Sequence, residues 1–324
     1  MRVAVTGGSG VVGAAVVRHL VTAGDDVWAL ARSAESSTKL ADLGASVVHG
    51  DVLDADAVGR LVKGSEWVFH IAGVNELCSR DPSRMWKVNV YATMGVLEAS
   101  ARAGVARLVH TSSAVTIGED PGMVGTEESK HRGYFLSEYE RSKTVAERLI
   151  FDSARDIEVV SVNPSSVQGP GRPTGTGALL LAAARGSLPL LVDTTISLID
   201  IDDCARGHLL AAHHGRPGER YILSGATTSV RDAMTLLNGL RTRVRRPWFV
   251  RPAVVTAIAP VVDACFRALA RPSPLCRESA RVLLNGHLYD GAKATRDLGV
   301  EYTPLQKTLS RTVDWYREQG LLDD

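Results

Sequence analysis

Tyr139 and Lys143 stand four residues apart in "SEYERSK" (137–143). On a helix, positions i and i+4 share one face, so this spacing sets a phenol beside an ammonium. A free tyrosine titrates near pH ~10 and exchanges protons poorly at neutrality. An adjacent cation favours the phenolate and brings that value down. Upstream, "VHTSSAVT" (109–116) carries Ser112 and Ser113 on the way out of an apolar run. A hydroxyl at a strand end could donate to a substrate carbonyl oxygen. Proton transfer at a carbonyl or carbinol oxygen is the chemistry these three side chains could support. The Tyr-Lys spacing alone also occurs on ordinary solvated helices, so the elements that position the groups must carry the argument.

The strongest of those elements is "VAVTGGSGVVGAAV" (3–16). An apolar strand runs into Gly7, Gly10 and Gly13, a helix opens after them, and Val11 and Val12 would join the glycines in binding the cofactor. A tight turn calls for Gly7, close approach of a pyrophosphate for Gly10, and close helix packing for Gly13. The helix N-terminus offers free N–H groups and the positive end of its dipole. No Lys-Ser/Thr follows the glycines, since Ala14 and Ala15 do, so the loop is not that of a P-loop NTPase. Dinucleotide binding is the expectation. The second strand, in "VWALARS" (27–33), has Ala31 where NAD sites commonly carry an acid, then Arg32. A guanidinium suits a 2′-phosphate, and Lys39 adds charge. NADP(H) is therefore expected over NAD(H). Asp51 and Val52 in "GDVLD" (50–54) could meet the adenine. Ile71, Ala72 and Gly73 in "HIAG" (70–73) would let the cofactor lie close, while His70 reads as a packed strand residue.

Strand patterns at 2–6, 26–31, 46–49, 67–71, 107–112 and 158–163 alternate with helical patterns at 13–23, 55–62, 85–103 and 137–153. Apolar strands alternating with helices predict an α/β fold, a parallel sheet doubly wound with right-handed crossovers. Past Pro164 the rhythm breaks at "GPGRPTGTG" (169–177). A strand-like 196–203, a helix over 204–214 and a strand in 219–225 follow, then mostly helical sequence ending in an amphipathic "DWYREQG" (314–320). Residues 1–165 with about 196–225 are expected to form the dinucleotide-binding Rossmann domain. Residues 166–195 with 226–324 are expected to form a smaller, mostly helical substrate region.

Together these segments resemble the extended short-chain dehydrogenase/reductase family along nearly the whole chain. The resemblance rests on "TGGSGVVG", "GDVLD", "HIAG", "NVYAT" (89–93), "TSSAVT", "YERSK", "NPSSVQGPG" (163–171), "IDIDDCARG" (199–207) and "YDGAKATRDLG" (289–299). It implies that Ser113, Tyr139 and Lys143 are the catalytic Ser-Tyr-Lys. Lys143 and Tyr139 would also touch the nicotinamide ribose. Asn89 would support a water near the lysine, or act as a helix cap or helix-packing residue. Pro164, Ser165 and Val167 would flank the nicotinamide, and Ser113, Val115 and Tyr139 would line the substrate. Ser112-Ser113-Ala114 stands where the family's dehydratases typically read Thr-Asp-Glu, which argues against dehydration. The stretch around Arg32 looks closer to dihydroflavonol-reductase-like and hydroxysteroid-dehydrogenase-like members. NADP(H)-dependent interconversion of a ketone or aldehyde and an alcohol is the implied reaction. The alternatives are a sugar or nucleotide-sugar epimerase and a non-catalytic dinucleotide-binding protein.

Composition sets outer bounds. A chain of 324 residues, 45% hydrophobic, can bury a large core. A net charge of +1 and 5% aromatics give no field or stacking surface for nucleic acid. Cys78, Cys204, Cys265 and Cys276 form no CxxC pair, so scattered reduced thiols in a cytoplasmic protein are expected, with no metal site. Met1–Val5 meets glycines at once, unlike a secretory leader. The apolar stretch 253–270 holds Pro260, Asp263 and Arg267 and falls short of the ~20 residues of a membrane span. It reads as helix, with a hint of a hydrophobic substrate. Arg241, Arg243, Arg245, Arg246 and Arg251 read as a solvated joint, and His213-His214 diverge on a helix rather than share a metal. Homodimers are frequent among such relatives, so a homodimer is an expectation by analogy.

Overall fold

The computed structural model describes residues 1–173, 175–240, 247–269, 271, 273 and 275–322. Arg241, Arg243, Arg245 and Arg246 of the basic cluster lie outside the described residues. The elements run β1 (Arg2–Thr6), α1 (Val11–Thr22), β2 (Asp26–Ala31), α2 (Ala34–Asp42), β3 (Ser46–His49), α3 (Ala55–Val62) and β4 (Trp67–His70). Then follow α4 (Ser83–Trp86), a π-helical stretch Lys87–Ala92, α5 (Thr93–Arg102), β5 (Arg107–Thr111), α6 (Glu138–Ser153) and β6 (Glu158–Pro164). The second half holds β7 (Ser166–Gln168), α7 (Thr176–Ala184), β8 (Leu190–Val192), β9 (Thr195–Asp200), α8 (Ile201–His214), β10 (Arg220–Leu223) and β11 (Ala226–Ser229). It ends with α9 (Val230–Gly239), β12 (Trp248–Val250), α10 (Pro252–Ala268), α11 (Arg277–Asn285), α12 (Ala292–Leu298) and α13 (Leu305–Glu318).

Seven strands form one sheet in the order β10-β6-β5-β4-β1-β2-β3, and every pairing in it is parallel. Side chains alternate across the pleat, so both faces need cover. Val3 and Val5 of β1 pack in a core with Ala15 and Val16 of α1 and Ala205 and Ala211 of α8. Ala4, between them, faces Val58 and Leu61 of α3 and Val96 of α5. This is the doubly wound α/β fold expected from the alternation. Its topological switch falls between β1 and β4, so a crevice opens at the carboxyl ends of those strands.

β10 joins the main sheet, but β9 does not. It pairs with β7 and β11 in a separate three-stranded sheet. The helices past residue 226 close two smaller cores. One joins Leu181, Met234, Leu237, Val313 and Tyr316, and the other joins Val192, Val255, Ala259 and Ala280. The apolar stretch near 253–270 is α10, with Pro260 inside it and Val254, Ile258 and Val261 exposed. Among the described residues no helix is long and apolar enough to cross a membrane.

The cysteines correct the expectation of scattered thiols. Cys78 and Cys276, 198 residues apart in sequence, form a disulfide with their Cα atoms 5.9 Å apart, while Cys204 and Cys265 are free. The fold brings the loop after β4 against the start of α11, a proximity that no local spacing could announce. Glu278, on the first turn of α11, accepts the Cys78 N–H at 2.5 Å and the Glu138 N–H at 2.6 Å. The C-terminal segment is thereby tied to the first residue of the helix that carries Tyr139.

Candidate active site

The glycine loop is built by packing as much as by any ligand. Gly7 sits at φ +72°, and a Cβ there would fall 2.5 Å from the Ala72 nitrogen. A Cβ on Gly13 would lie 2.1 Å from the Gly7 carbonyl oxygen. Gly10 differs: a Cβ would meet only the Gly7 oxygen, at 3.2 Å, so its outer face is open. Gly10 is also the N-cap of α1, and no side chain caps that helix. The first N–H groups, at Val11, Val12 and Gly13, and the positive dipole end are thus left to the crevice. A diphosphate fits this cradle.

At the ends of β2 and β3, the exposed Arg32 guanidinium stands 3.6 Å from an Asp51 oxygen. Asp51 also accepts the Leu53 N–H at 3.0 Å. Lys39 donates to the Ser9 carbonyl of the glycine loop at 2.8 Å. Lys39 thus reaches the glycine loop, while Arg32, just past the end of β2, faces Asp51. Val52 packs its side chain on the lower core.

Ile71, Ala72 and Gly73 follow β4 and form a wall packed against Gly7. Asn89 holds the end of that wall. Its Oδ1 accepts the Val74 N–H at 2.8 Å, and its Nδ2 donates to the Val74 carbonyl and to Ser142 Oγ, each at 2.9 Å. Asn89 lies in the π-helical stretch, a local widening common at functional sites. It pins loop to catalytic helix through its side chain rather than capping a terminus. His70 is buried, bonded to Thr6 and Thr93 at 2.7 and 2.9 Å. Burial first, then the nearby Lys143 charge, lowers its pKa to about 3, so the ring is neutral.

Tyr139 and Lys143 occupy α6, which starts with the Ser137 side chain accepting the Glu140 N–H. The half-buried Tyr139 stands within hydrogen-bonding reach of Ser113. Burial raises the phenol pKa, and the Ser113 contact and the Arg172 guanidinium oppose that rise. Lys143 is 3% exposed and donates to the Thr111 carbonyl at 2.7 Å. Burial lowers its pKa to about 8 against the pull of Glu147. The Ser113 carbonyl accepts from Thr116 Oγ1 at 2.9 Å and Asn163 Nδ2 at 3.3 Å. Glu147, one turn beyond Lys143, accepts in turn from Asn163, Thr116 and Arg220. Ser112 points elsewhere: its N–H donates to Val162, and its hydroxyl is buried without a partner. The arrangement can polarise a carbonyl oxygen and exchange one proton with it.

Val115 lies half-buried in the 3-10 turn just after Ser113. Pro164 ends β6 opposite Leu223, and Ser165 donates its N–H to Leu223. The Val167 side chain points into the main core, so only its backbone faces outward. Sequence reasoning missed Glu147, Asn163 and Arg172. Glu147 repeats the i+4 step after Lys143, a signal that could have found it. Arg172 sits in a Gly/Pro loop with no period to read.

The model of the NAD dependent epimerase/dehydratase family matches residues 3–224. The chain is 31% identical over 326 residues to a putative dihydroflavonol 4-reductase of Synechocystis sp., covering 98% of this chain and 94% of that one. It is 30% identical to the 3 beta-hydroxysteroid dehydrogenase/Delta 5-->4-isomerase of Mycobacterium tuberculosis, covering 97% and 90%. In structure it resembles a nucleoside-diphosphate-sugar epimerase from Pseudomonas aeruginosa, with a TM-score of 0.82 at 25% identity over 100% of this chain and 99% of that one. With an uncapped glycine-loop helix at the sheet's switch point and the whole chain matched, the protein belongs to the NAD dependent epimerase/dehydratase family and is an NAD(P)-dependent enzyme of the extended short-chain dehydrogenase/reductase type, acting on CH–OH groups.

Proposed function

We propose that this enzyme interconverts a ketone or aldehyde and the corresponding alcohol with NADP(H). What supports this reading is the contact of Ser113 with the Tyr139 phenol, Ser113 following β5 at the same carboxyl edge of the sheet where the glycine loop follows β1. Bound NADPH supplies a hydride to the carbonyl carbon. Ser113 donates a hydrogen bond to the carbonyl oxygen and holds it as charge develops. Tyr139, kept protonated by its raised pKa, gives its proton to that oxygen. In the oxidative direction the same phenol must first lose its proton, and the Ser113 contact and the Arg172 guanidinium ease that loss. Lys143, anchored on Thr111, is within a side-chain swing of the nicotinamide ribose in this reading. Arg32 and Lys39 support NADP(H) over NAD(H), since both add positive charge beside the ribose end and no acid stands at Ala31. In this scheme 1–165 with 196–225 bind the dinucleotide, the remaining residues shape the substrate pocket, and the enzyme works as a homodimer.

Tyr139→Phe tests the reading. Turnover of a ketone panel, followed as loss of NADPH absorbance, should fall by a thousandfold or so, with NADPH affinity unchanged by fluorescence titration. Undiminished turnover overturns the assignment. Epimerisation of nucleotide sugars with no net change in cofactor would favour the epimerase alternative.

A further inference from the structure

Arg172 is a cation that the Ser-Tyr-Lys scheme does not use. It lies between β7 and α7, and two glycines make its bed. A Cβ on Gly177 would fall 2.8 Å from the Arg172 Cγ, and one on Gly175 would sit 3.6 Å from Nη2. The Tyr316 hydroxyl, donating to the Gly177 carbonyl at 3.0 Å and reaching the Arg172 carbonyl at 3.5 Å, fixes the loop from below. The guanidinium so held is in electrostatic range of Cys204, the Tyr139 phenol and Tyr316.

What it lacks is a counter-charge. Its Nε is buried without an acceptor. Among the described residues, no carboxylate pairs with it. The buried acids of this region are committed elsewhere. Asp200 takes Thr308 and Arg311, and Asp203 takes Arg206 and Thr303. Taking a cation out of water without a partner is costly, and burial accordingly pulls the Arg172 pKa down. A planar guanidinium with an unsatisfied Nε, in electrostatic range of the Tyr139 phenol, matches a carboxylate in fork geometry. One unpaired positive charge calls for a monoanion.

We infer that Arg172 is the receptor for a carboxylate on the substrate, so that the preferred substrate is a hydroxy or oxo acid whose carboxylate lies a few bonds from the carbon that Tyr139 serves. The inference rests on the oxidoreductase reading above. The substrate carboxylate enters the cradle of Arg172, Gly175 and Gly177, completes its charge pair, and orients the carbinol oxygen toward Ser113 and Tyr139. A neutral substrate leaves the guanidinium unpaired and gains none of this.

The test compares 3-hydroxyoctanoate with its methyl ester, oxidised with NADP+, in the wild type, Arg172→Met and Arg172→Lys. A parallel arm measures binding of octanoate to the NADP+-loaded enzyme by calorimetry. The wild type should favour the acid over the ester by tenfold or more in kcat/KM. R172M should lower kcat/KM for the acid by roughly a hundredfold and for the ester by less than about threefold, chiefly through KM. R172K should recover part of the loss. Octanoate binding should disappear in R172M. Equal effects on acid and ester, or octanoate binding indifferent to Arg172, overturn the carboxylate receptor. If neither compound nor any panel alcohol or ketone turns over while octanoate still binds through Arg172, the redox reading fails and the anion site stands.

Discussion

Replacing Lys143 by methionine should make the protein more stable at neutral pH while destroying its activity, and the gain should vanish in alkali. Lys143 is 3% exposed, and burial brings its pKa from 10.5 to about 8. At about 1.36 kcal/mol per pKa unit, holding that ammonium in the folded state costs about 3 kcal/mol. The folded value lies below the unfolded one, so the folded chain binds fewer protons between pH 8 and 10.5. The penalty is therefore full below pH 8 and fades as pH rises toward 10.5. Methionine fills a similar volume with no charge. It forfeits the bond to the Thr111 carbonyl, worth about 1 kcal/mol net. The expected advantage of K143M is about 2 kcal/mol near pH 7 and close to zero near pH 9.5. With an unfolding entropy of about 2.1 cal/mol/K per residue over 324 residues, the neutral-pH gain amounts to a Tm about 3 °C higher. Thermal melts of both proteins by circular dichroism at the two pH values measure it. A variant less stable at both, or an offset independent of pH, would refute the picture of a buried charged lysine held in place for its chemistry.

Further outcomes follow from the same geometry. Arg32→Ala should raise the Michaelis constant for NADPH by roughly tenfold and spare NADH. Equal effects on both cofactors would remove the 2′-phosphate assignment. Breaking the Cys78–Cys276 disulfide, by Cys78→Ser or by dithiothreitol, reopens a loop spanning 198 residues. The loss should be about 2–4 kcal/mol, a Tm fall of several degrees by scanning calorimetry. Alkylation should label Cys265 alone before reduction and Cys78 and Cys276 after it. An unchanged Tm would mean that the link contributes nothing beyond the contacts of Glu278. Asn89→Ala removes three side-chain hydrogen bonds at one point. It should cost about 2–3 kcal/mol of stability and lower kcat more than it raises the KM for NADPH, because it frees the catalytic side of the crevice and leaves the glycine loop intact.

The sequence by itself determined what local pattern can encode. A strand running into Gly7, Gly10 and Gly13 specifies the phosphate cradle, because a Cβ at Gly7 or Gly13 would strike backbone while Gly10 leaves its outer face open. Strict alternation of apolar strands and amphipathic helices specifies a doubly wound parallel sheet. The observed strands in the first half end within a residue of the patterns that announced them. The helix α2 went unread, since "AESSTKLAD" has little apolar periodicity and is started by a Ser33–Ser36 capping box instead. Tertiary structure alone decided the rest. β9 reads as a strand from its residues, yet which sheet it joins depends on β7 and β11. Cys78 and Cys276 are ordinary thiols until the loop after β4 meets α11. Arg172 is one cation among many until the folded chain sets it, half-buried, in electrostatic range of Tyr139 with no paired acid among the described residues. Propensity and periodicity act over a few residues. Charge balance, burial and cross-links are properties of neighbours in space, and only the packed fold chooses those neighbours.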